Sequence, residues 1–262
     1  MPKPAATLSE IDVRAIDGWT LHEFAEVTST NLLAAHLPPW SAVSAAVQSA
    51  GRGRTGRAWV SDPGGLWLSA VVPTPGDPDP WQLLPLAAGW AVLSAVRELG
   101  VADARLRWPN DVLVGPRKLA GILVDRFVAD AVVIGIGLNV TNRPEAADAA
   151  LAGQVTRLAE CVANPPAASA LLVCLLTALT REHHRLEAGR ADELCRDLNA
   201  DWRHRHVHVT LAPSGSVPPI GLGGINGRLE GVDRSGCLLV GDAAGDIHRI
   251  PAHRVELLRE VD

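Results

Sequence analysis

Apolar and polar residues nearly alternate through WTLHEFAEV, Trp19–Val27, the period-two pattern of a strand with one buried face. Ser29 then stands ahead of NLLAAHL, which reads as a short helix with a serine or threonine cap. Short apolar runs predict strands over 42–47 and 66–72, and the stretch 81–99, closed by Gly100, predicts a buried helix. Further strands are expected over 104–108, 119–128 and 131–136, with loops between them at WPND and VGPR. Helical patterning returns over 167–187 and 191–202. Beyond it come short strand-like pieces at 206–211, 227–232, 237–241 and 246–250, separated by Gly, Asp and Ser turns. The pattern therefore predicts an α/β (α+β) domain over 1–204 and a small SH3-like β-barrel over 205–262. The segment APSGSVPPIGLGG, 212–224, reads as a flexible connection.

Composition narrows this picture. With 262 residues, 47% hydrophobic and 20% charged, the chain can bury a full core, which excludes a disordered tail or a disulfide-stapled miniprotein. A net charge of −5 gives no global attraction to phosphate backbones or anionic membranes. The two longest apolar runs, 83–96 and 167–179, fall short of the ~18 residues that suggest a bilayer span. Cys161, Cys174, Cys195 and Cys237 lie far apart with no C-x-x-C pair, and MPKPAATLSEIDV holds no apolar signal stretch, so a reduced, cytoplasmic protein is expected. Lysine occurs only at Lys3 and Lys118, against 22 arginines. In so arginine-biased a chain, Lys118 is a candidate for a place that needs a compact ammonium.

The chemistry-bearing segments begin at 50–65, AGRGRTGRAWVSDPGG, a long glycine- and arginine-rich loop without periodicity. Gly51 to Gly56 spells G-x-G-x-x-G, but no helix follows at once, as a dinucleotide fold requires, and no kinase or Walker signature accompanies it. What remains is Arg52, Arg54 and Arg57 among glycines, a pattern suited to a phosphate or equally to a solvated basic loop. A second segment, RLRWPNDVLVGPRKLAGIL, sets Asn110 and Asp111 after a proline and Lys118 at the entrance of a strand containing Gly121. Asp111 suits a turn cap, a base-orienting group or a cation ligand, the turn cap being the plainest reading. A third, GIGLNV, ends an apolar strand with Asn139. His204, His206 and His208 alternate so that a strand would put them on one face, but no Cys or carboxylate converges on them to complete a metal site.

Taken in order, TSTN (28–31), QSAGRGR (48–54) with Gly56, Arg57 and Trp59, WPND (108–111), RKLAGIL (117–123) and GIGLNV (135–140) resemble the biotin–protein ligases, or biotin–acetyl-CoA-carboxylase ligases. The resemblance is dense over 19–142 and weaker at GRLEGVDRSGCLLV. It implies a catalytic domain of the biotin/lipoate-ligase type and a two-step reaction: ATP activates biotin as biotinyl-5′-AMP, and a lysine of a biotin carboxyl carrier protein then takes the biotinyl group. It implies that Ser29, Thr30, Asn31 and Gln48 line a biotin pocket together with Arg52, Gly53 and Gly121, and that Arg54 and Lys118 serve both biotin and chemistry. It further implies that Arg52, Arg54, Arg57, Trp59, Asn110 and Asn139 contact the nucleotide, with Mg2+ on the phosphates near Asn139. Lys118 would bridge carboxylate and α-phosphate oxygens, and Asp111 would orient or deprotonate the acceptor amine.

The arginine loop would close over the acyl-adenylate and exclude water. Arg107 stands where the family often has lysine, a change of little effect if it faces solvent. About 18 residues precede the first expected catalytic strand, too few for the winged-helix domain of some members, so specific DNA binding is not expected. An exposed strand edge suits either a second copy, giving a homodimer, or the carrier protein. Two rivals stand beside this reading: a lipoate–protein ligase, whose Arg-Arg-x-x-Gly-Gly-Gly type of loop is missing here, and a non-catalytic module that binds anions or carrier proteins.

Overall fold

The computed structural model describes residues 10–128, 130–202, 205–211 and 224–261, with the backbone alone at Thr55 and Val128. His204 and most of the 212–224 connection lie outside these residues. The chain divides into two compact units, one of residues 1–76 and 87–183, the other of 77–86 and 184–262.

The first unit is built on an eight-stranded sheet, in the order β1-β2-β3-β4-β8-β7-β6-β5. Its edge hairpin joins β1 (Glu10–Ile16) to β2 (Trp19–Val27) through Asp17-Gly18, both at positive φ, the backbone a two-residue hairpin turn demands. A short helix α1 (Thr30–Ala34) carries the chain to β3 (Ser41–Gln48), which runs parallel to β2; the other neighbours in the sheet are antiparallel. After β4 (Gly65–Pro73) comes helix α2 (Leu84–Glu98), whose N-terminal residues fall in the second unit. Then follow β5 (Ala104–Arg107), β6 (Asp111–Val114), β7 (Arg117–Val128) and β8 (Ala131–Asn139). Strands β4 and β8 are buried almost throughout, which explains why LWLSAVV and AVVIGIGL read as unbroken apolar runs while β2 alternates. Two short helices, α3 (Pro144–Ala147) and α4 (Leu158–Cys161), precede the long α5 (Ala168–Glu187). In this unit α5 is tied to the sheet by Trp19 Nε1 donating to Thr180 Oγ1 at 2.9 Å and His183 Nε2 donating to the Pro73 carbonyl at 2.7 Å.

The second unit holds α6 (Ala191–Trp202) and a five-stranded antiparallel sheet, order β12-β11-β10-β9-β13. Its strands are β9 (His206–Leu211), β10 (Ile225–Val232), β11 (Leu238–Gly241), β12 (Ile247–Ile250) and β13 (Val255–Val261), an arrangement consistent with the small SH3-like module. Helix α6 buries Leu194, Cys195, Leu198 and Trp202 and clamps β10, Asn199 Oδ1 accepting from the Val232 amide at 2.8 Å. Residues 184–202 fall in the second unit with this sheet.

Strands β1 and β13 go beyond the expected elements. In β1, Ile11, Val13 and Ala15 alternate with Asp12 and Arg14, so the period was present, but as an edge strand β1 is exposed and ends no apolar run. Among the described residues the sheet therefore begins at Glu10, before Trp19. The helix expected over 81–99 opens as a 3-10 turn over Asp79–Leu83, where Pro80 and Pro85 delay the regular hydrogen-bond ladder. Among the described residues no helix is long and apolar enough to cross a membrane.

Trp67, wholly buried on central strand β4, should cost about 3–5 kcal/mol when cut to Ala, whereas Ile11→Ala on the exposed edge should cost about 0.5 kcal/mol or less. Equilibrium denaturation in urea measures both, and comparable losses would contradict the assignment of β4 to the core.

Candidate functional site

Several chain segments converge on one cleft in the first unit, with an empty volume of about 460 Å3, open solvent at its mouth included. They are the start of α1 with the end of β3, the segment 51–60, the turn before β6, and the middles of β7 and β8.

At one end the groups are neutral and polar. Ser29 occupies the N-cap position of α1 in extended conformation, yet its side chain makes no capping bond, contrary to the cap expected of it. Gln48 does that work from β3: its Oε1 accepts from the Thr30 amide at 2.8 Å and from Thr30 Oγ1 at 3.0 Å. Its amide group in turn donates to Ser61 Oγ at 2.8 Å, and Ser61 donates to the Trp59 carbonyl at 3.0 Å. Behind this line lies Ser69, fully buried, 2.7 Å from Thr30 Oγ1 and 2.6 Å from Asn31 Oδ1, while Asn31 Nδ2 donates to Asp125 Oδ2 at 3.0 Å. The polar atoms are thus oriented by one another, as buried polar groups must be. Asn31 reaches this place because position 135 is glycine, where a Cβ would stand 2.3 Å from Asn31 Oδ1.

At the other end the groups are basic. Segment 51–60 is folded and not a structureless loop: Gly53 donates to the Arg57 carbonyl at 2.7 Å, Trp59 donates to that of Gly51 at 2.9 Å, and Arg54–Gly56 forms a 3-10 turn. Arg54 reaches across to Asn110 Oδ1 at 3.2 Å, and Asn110 is held to β7 by its Nδ2 donating to the Ile122 carbonyl at 2.8 Å. Burial lowers the Arg54 guanidinium's pKa, Asp111 opposes that and Arg57 adds to it; it remains a cation.

Between the two ends stands Trp59. Its ring lies over Gly121 and Gly137, which are direct partners across the β7–β8 ladder; a Cβ on Gly137 would come within 2.5 Å of ring atoms and one on Gly121 within 2.9 Å. Its buried indole N–H, set against the strand at Gly137, has no hydrogen-bond partner among the described residues. Lys118 Nζ sits 4.9 Å from the ring centroid and 2.5 Å from Asp111 Oδ1. Asp111 Oδ2 accepts from Arg107 at 2.6 Å. Burial alone would raise the Asp111 carboxyl, but Lys118 and Arg107 outweigh it and hold it below the usual carboxylate range.

Most of the expected residues therefore meet: Ser29, Thr30, Asn31 and Gln48 at the polar end, Arg52, Gly53, Arg54 and Asn110 at the basic end, and Trp59, Lys118 and Gly121 between them. Asp111 touches Lys118 and lies just behind the lining. Two more of the expected residues do not line the cleft. Arg57 is exposed and outside the lining, its carbonyl closing the 53–57 turn. Asn139, expected beside the nucleotide or Mg2+, is buried with its amide engaged at both ends: Nδ2 donates to the Thr156 carbonyl at 3.1 Å and Oδ1 accepts from Asn142 at 3.0 Å. Thr156 in turn donates its amide to the Lys118 carbonyl at 2.9 Å, so Asn139 braces the strand that carries Lys118. His206 and His208 lie on β9 with no third His, Cys or carboxylate ligand converging on them among the described residues. Sequence reasoning missed Gly135 and Gly137 as makers of space, Ser69 and Asp125 behind the polar end, and Arg107, which is half-buried on Asp111 and does not simply face solvent. The glycine spacing G-x-G in GIGLNV was the available signal for the first two.

Residues 22–139 match the family model described as the biotin/lipoate A/B protein ligase family. The biotin–[acetyl-CoA-carboxylase] ligase of Mycobacterium tuberculosis is 46% identical over 106 residues, which are 38% of this chain and 40% of that protein. The ligase of the same name from Paracoccus denitrificans is 37% identical over 132 residues, 47% of this chain and 55% of its own. The chain thus matches about half the length of these curated relatives or less. Among solved structures, a biotin protein ligase from Aquifex aeolicus in complex with biotin and ATP superposes with a TM-score of 0.76 at 26% identity, covering 92% of this chain and 99% of that one. The fold is that of a biotin protein ligase.

The glycine platform makes a test of sign. At a compatible backbone Gly→Ala stabilises by a fraction of a kcal/mol, whereas Gly137→Ala should destabilise by about 1–3 kcal/mol because Trp59 must shift. Adding Trp59→Leu should recover most of that loss in thermal unfolding; an additive pair would show that the ring is not what the glycine accommodates.

Proposed function

We propose that the chain uses ATP to attach biotin to a lysine of a biotin carboxyl carrier protein, through biotinyl-5′-AMP, a reading supported by the match of residues 22–139 to the biotin/lipoate A/B protein ligase family model. The observation that carries this is the position of Lys118, between a neutral hydrogen-bonding pocket and an arginine-lined segment, with its ammonium on Asp111. A carboxylate and a phosphate repel one another, and a cation at their junction offsets that repulsion in the ground state and the charge shift in the transition state.

In the first step a biotin carboxylate oxygen attacks the α-phosphorus of ATP. The new P–O bond forms as the bridge to the β-phosphate breaks, and pyrophosphate leaves with the electron pair. Ser29, whose hydroxyl makes no capping bond, lines the place of the ureido head with Thr30, Asn31 and Gln48, whose positions are already fixed by their mutual hydrogen bonds. Arg52, Gly53 and Arg54 lie along the adenylate, Asn110 holds Arg54 in that place, and Trp59 walls the junction with its unpartnered N–H. Gly121 keeps the floor open for Lys118 and the ring. In the second step the neutral lysine amine of the carrier attacks the carbonyl carbon of the mixed anhydride, the bond from that carbon to the phosphate oxygen breaks, AMP departs with the electron pair, and the amine loses one proton to solvent as the amide forms. Asp111, held below the usual carboxylate range, is a poor base, so its part is to orient that amine by accepting an N–H. Lys118, Asp111 and Arg54 are the catalytic residues of this scheme.

The site does not fit a protein-held magnesium ion. No carboxylate lines the cleft among the described residues, Asp111 is neutralised by two cations, and the Asn139 amide is engaged. Magnesium enters only as part of the nucleotide substrate. Four cysteines without disulfides suit work in the cytoplasm.

Exchange of labelled pyrophosphate into ATP tests the reading. It should depend on biotin; dependence on lipoate alone would move the chain to the other branch of its family, and none with either acid would favour a non-catalytic module. Lys118→Arg keeps the charge but not the compact shape, and should slow exchange about tenfold or more, about 1.4 kcal/mol. Unchanged turnover would remove the argument for lysine at that position.

A further inference from the structure

We propose that Arg107 is a positioning residue that keeps the Asp111 carboxylate compensated while Lys118 turns from it to the substrate, an inference that rests on the biotin-activating reading above. The geometry is that of a carboxylate shared oxygen by oxygen. Arg107 ends β5 and Asp111 begins β6, as direct partners across that ladder, and Arg107 takes Oδ2 at 2.6 Å. Lys118 comes from β7 and takes Oδ1 at 2.5 Å. The partner of Asp111 on β7 is Gly121, whose missing side chain leaves the space that the Lys118 Cε and Nζ fill. The charged groups facing Asp111 are these two and Arg54, which arrives from the 51–60 segment and is held on Asn110.

To bridge a carboxylate and an α-phosphate, Lys118 has to loosen its contact with Asp111. With the Asp111 side chain only 15% exposed, a carboxylate left alone there would be a largely buried, uncompensated charge, and Lys118 would be held back by the cost of leaving it. Arg107 removes that cost. Its planar fork suits a carboxylate, and its contact is on the oxygen that Lys118 does not use.

Pyrophosphate exchange on the full chain reads this as a double-mutant cycle. Arg107→Met should lower kcat about tenfold with the KM for biotin within about twofold, and Arg107→Lys should recover most of the loss. In an Asp111→Asn background the same Arg107→Met should cost less than about twofold, because no carboxylate remains to be compensated. Equal losses in both backgrounds, or no loss in the first, would overturn the proposal.

Acid unfolding supplies a readout that does not depend on biotin. Asp111 titrates below its unfolded value of about 3.9, so its stabilisation is present above that pH and is lost as pH falls through the folded value. Arg107→Met brings folded and unfolded values closer, so Tm should fall less between about pH 6 and pH 2 than in the unsubstituted chain, with no such change in the Asp111→Asn background. An unchanged fall overturns the role of Arg107. If the unsubstituted chain lacks biotin-dependent exchange, the assigned reaction fails, and this comparison still decides whether Arg107 governs Asp111.

Discussion

A carboxylate removed from most of its water must be met by positive charge, and Asp111 meets that demand with one cation on each oxygen. The two cations come from strands on either side of its own, so the ion triad can exist only if β5, β6 and β7 keep their register. That register is in turn braced from outside the sheet. Lys118 donates its amide to the Gln154 carbonyl and accepts from Thr156, whose own carbonyl is held by Asn139. The flanking Arg117 is bound to Glu160 at 2.6 Å, which fastens the same segment again. A single buried charge thus explains why a stretch of irregular chain after β8 is tied down so closely.

The second constraint is space. Trp59 brings a large ring onto a sheet whose strands are nearly 5 Å apart, and it can lie there only where both ladder partners lack a Cβ. Gly121 and Gly137 meet that condition, and Gly135, two residues back on β8, admits Asn31 by the same means. The ring then separates a neutral pocket from a basic one. Such a division suits a reaction that joins an uncharged bicyclic head to a phosphate through one carboxylate.

Much of this was legible in the chain, and the residues show why. Alternation placed β2, unbroken apolar runs placed β4 and β8, and the motif order brought Ser29, Gln48, Arg52 and Lys118 together before any geometry was known. Other features left no such trace. Asn139 has the composition of a ligand contact, and only its partners Thr156 and Asn142 reveal a brace. Ser29 looks like a cap because a side-chain oxygen at that position usually is one, but a glutamine from β3 supplies the bond. Both errors have one source: hydrogen-bond partners distant in sequence cannot be read from local pattern. The exposed edge β1 escaped for the opposite reason, since its period is local but nothing buried rewards it.

The contrast between positions 107 and 118 follows from the same two constraints. A chain with 22 arginines and two lysines has every compositional reason to carry arginine at both. At 107 the side chain ends a strand, half-exposed, with room for a planar fork beside one carboxylate oxygen. At 118 the amine is enclosed by the Trp59 ring, by Asp111 and by the strand at Gly121, where a single methyl would already stand 3.0–3.1 Å from Cε and Nζ. A guanidinium is wider and rigid, and to leave one anion for two others it would have to carry its whole plane past the ring. At 118 geometry overrules the arginine bias, because the amine must sit between the ring and the carboxylate and still move to the substrate.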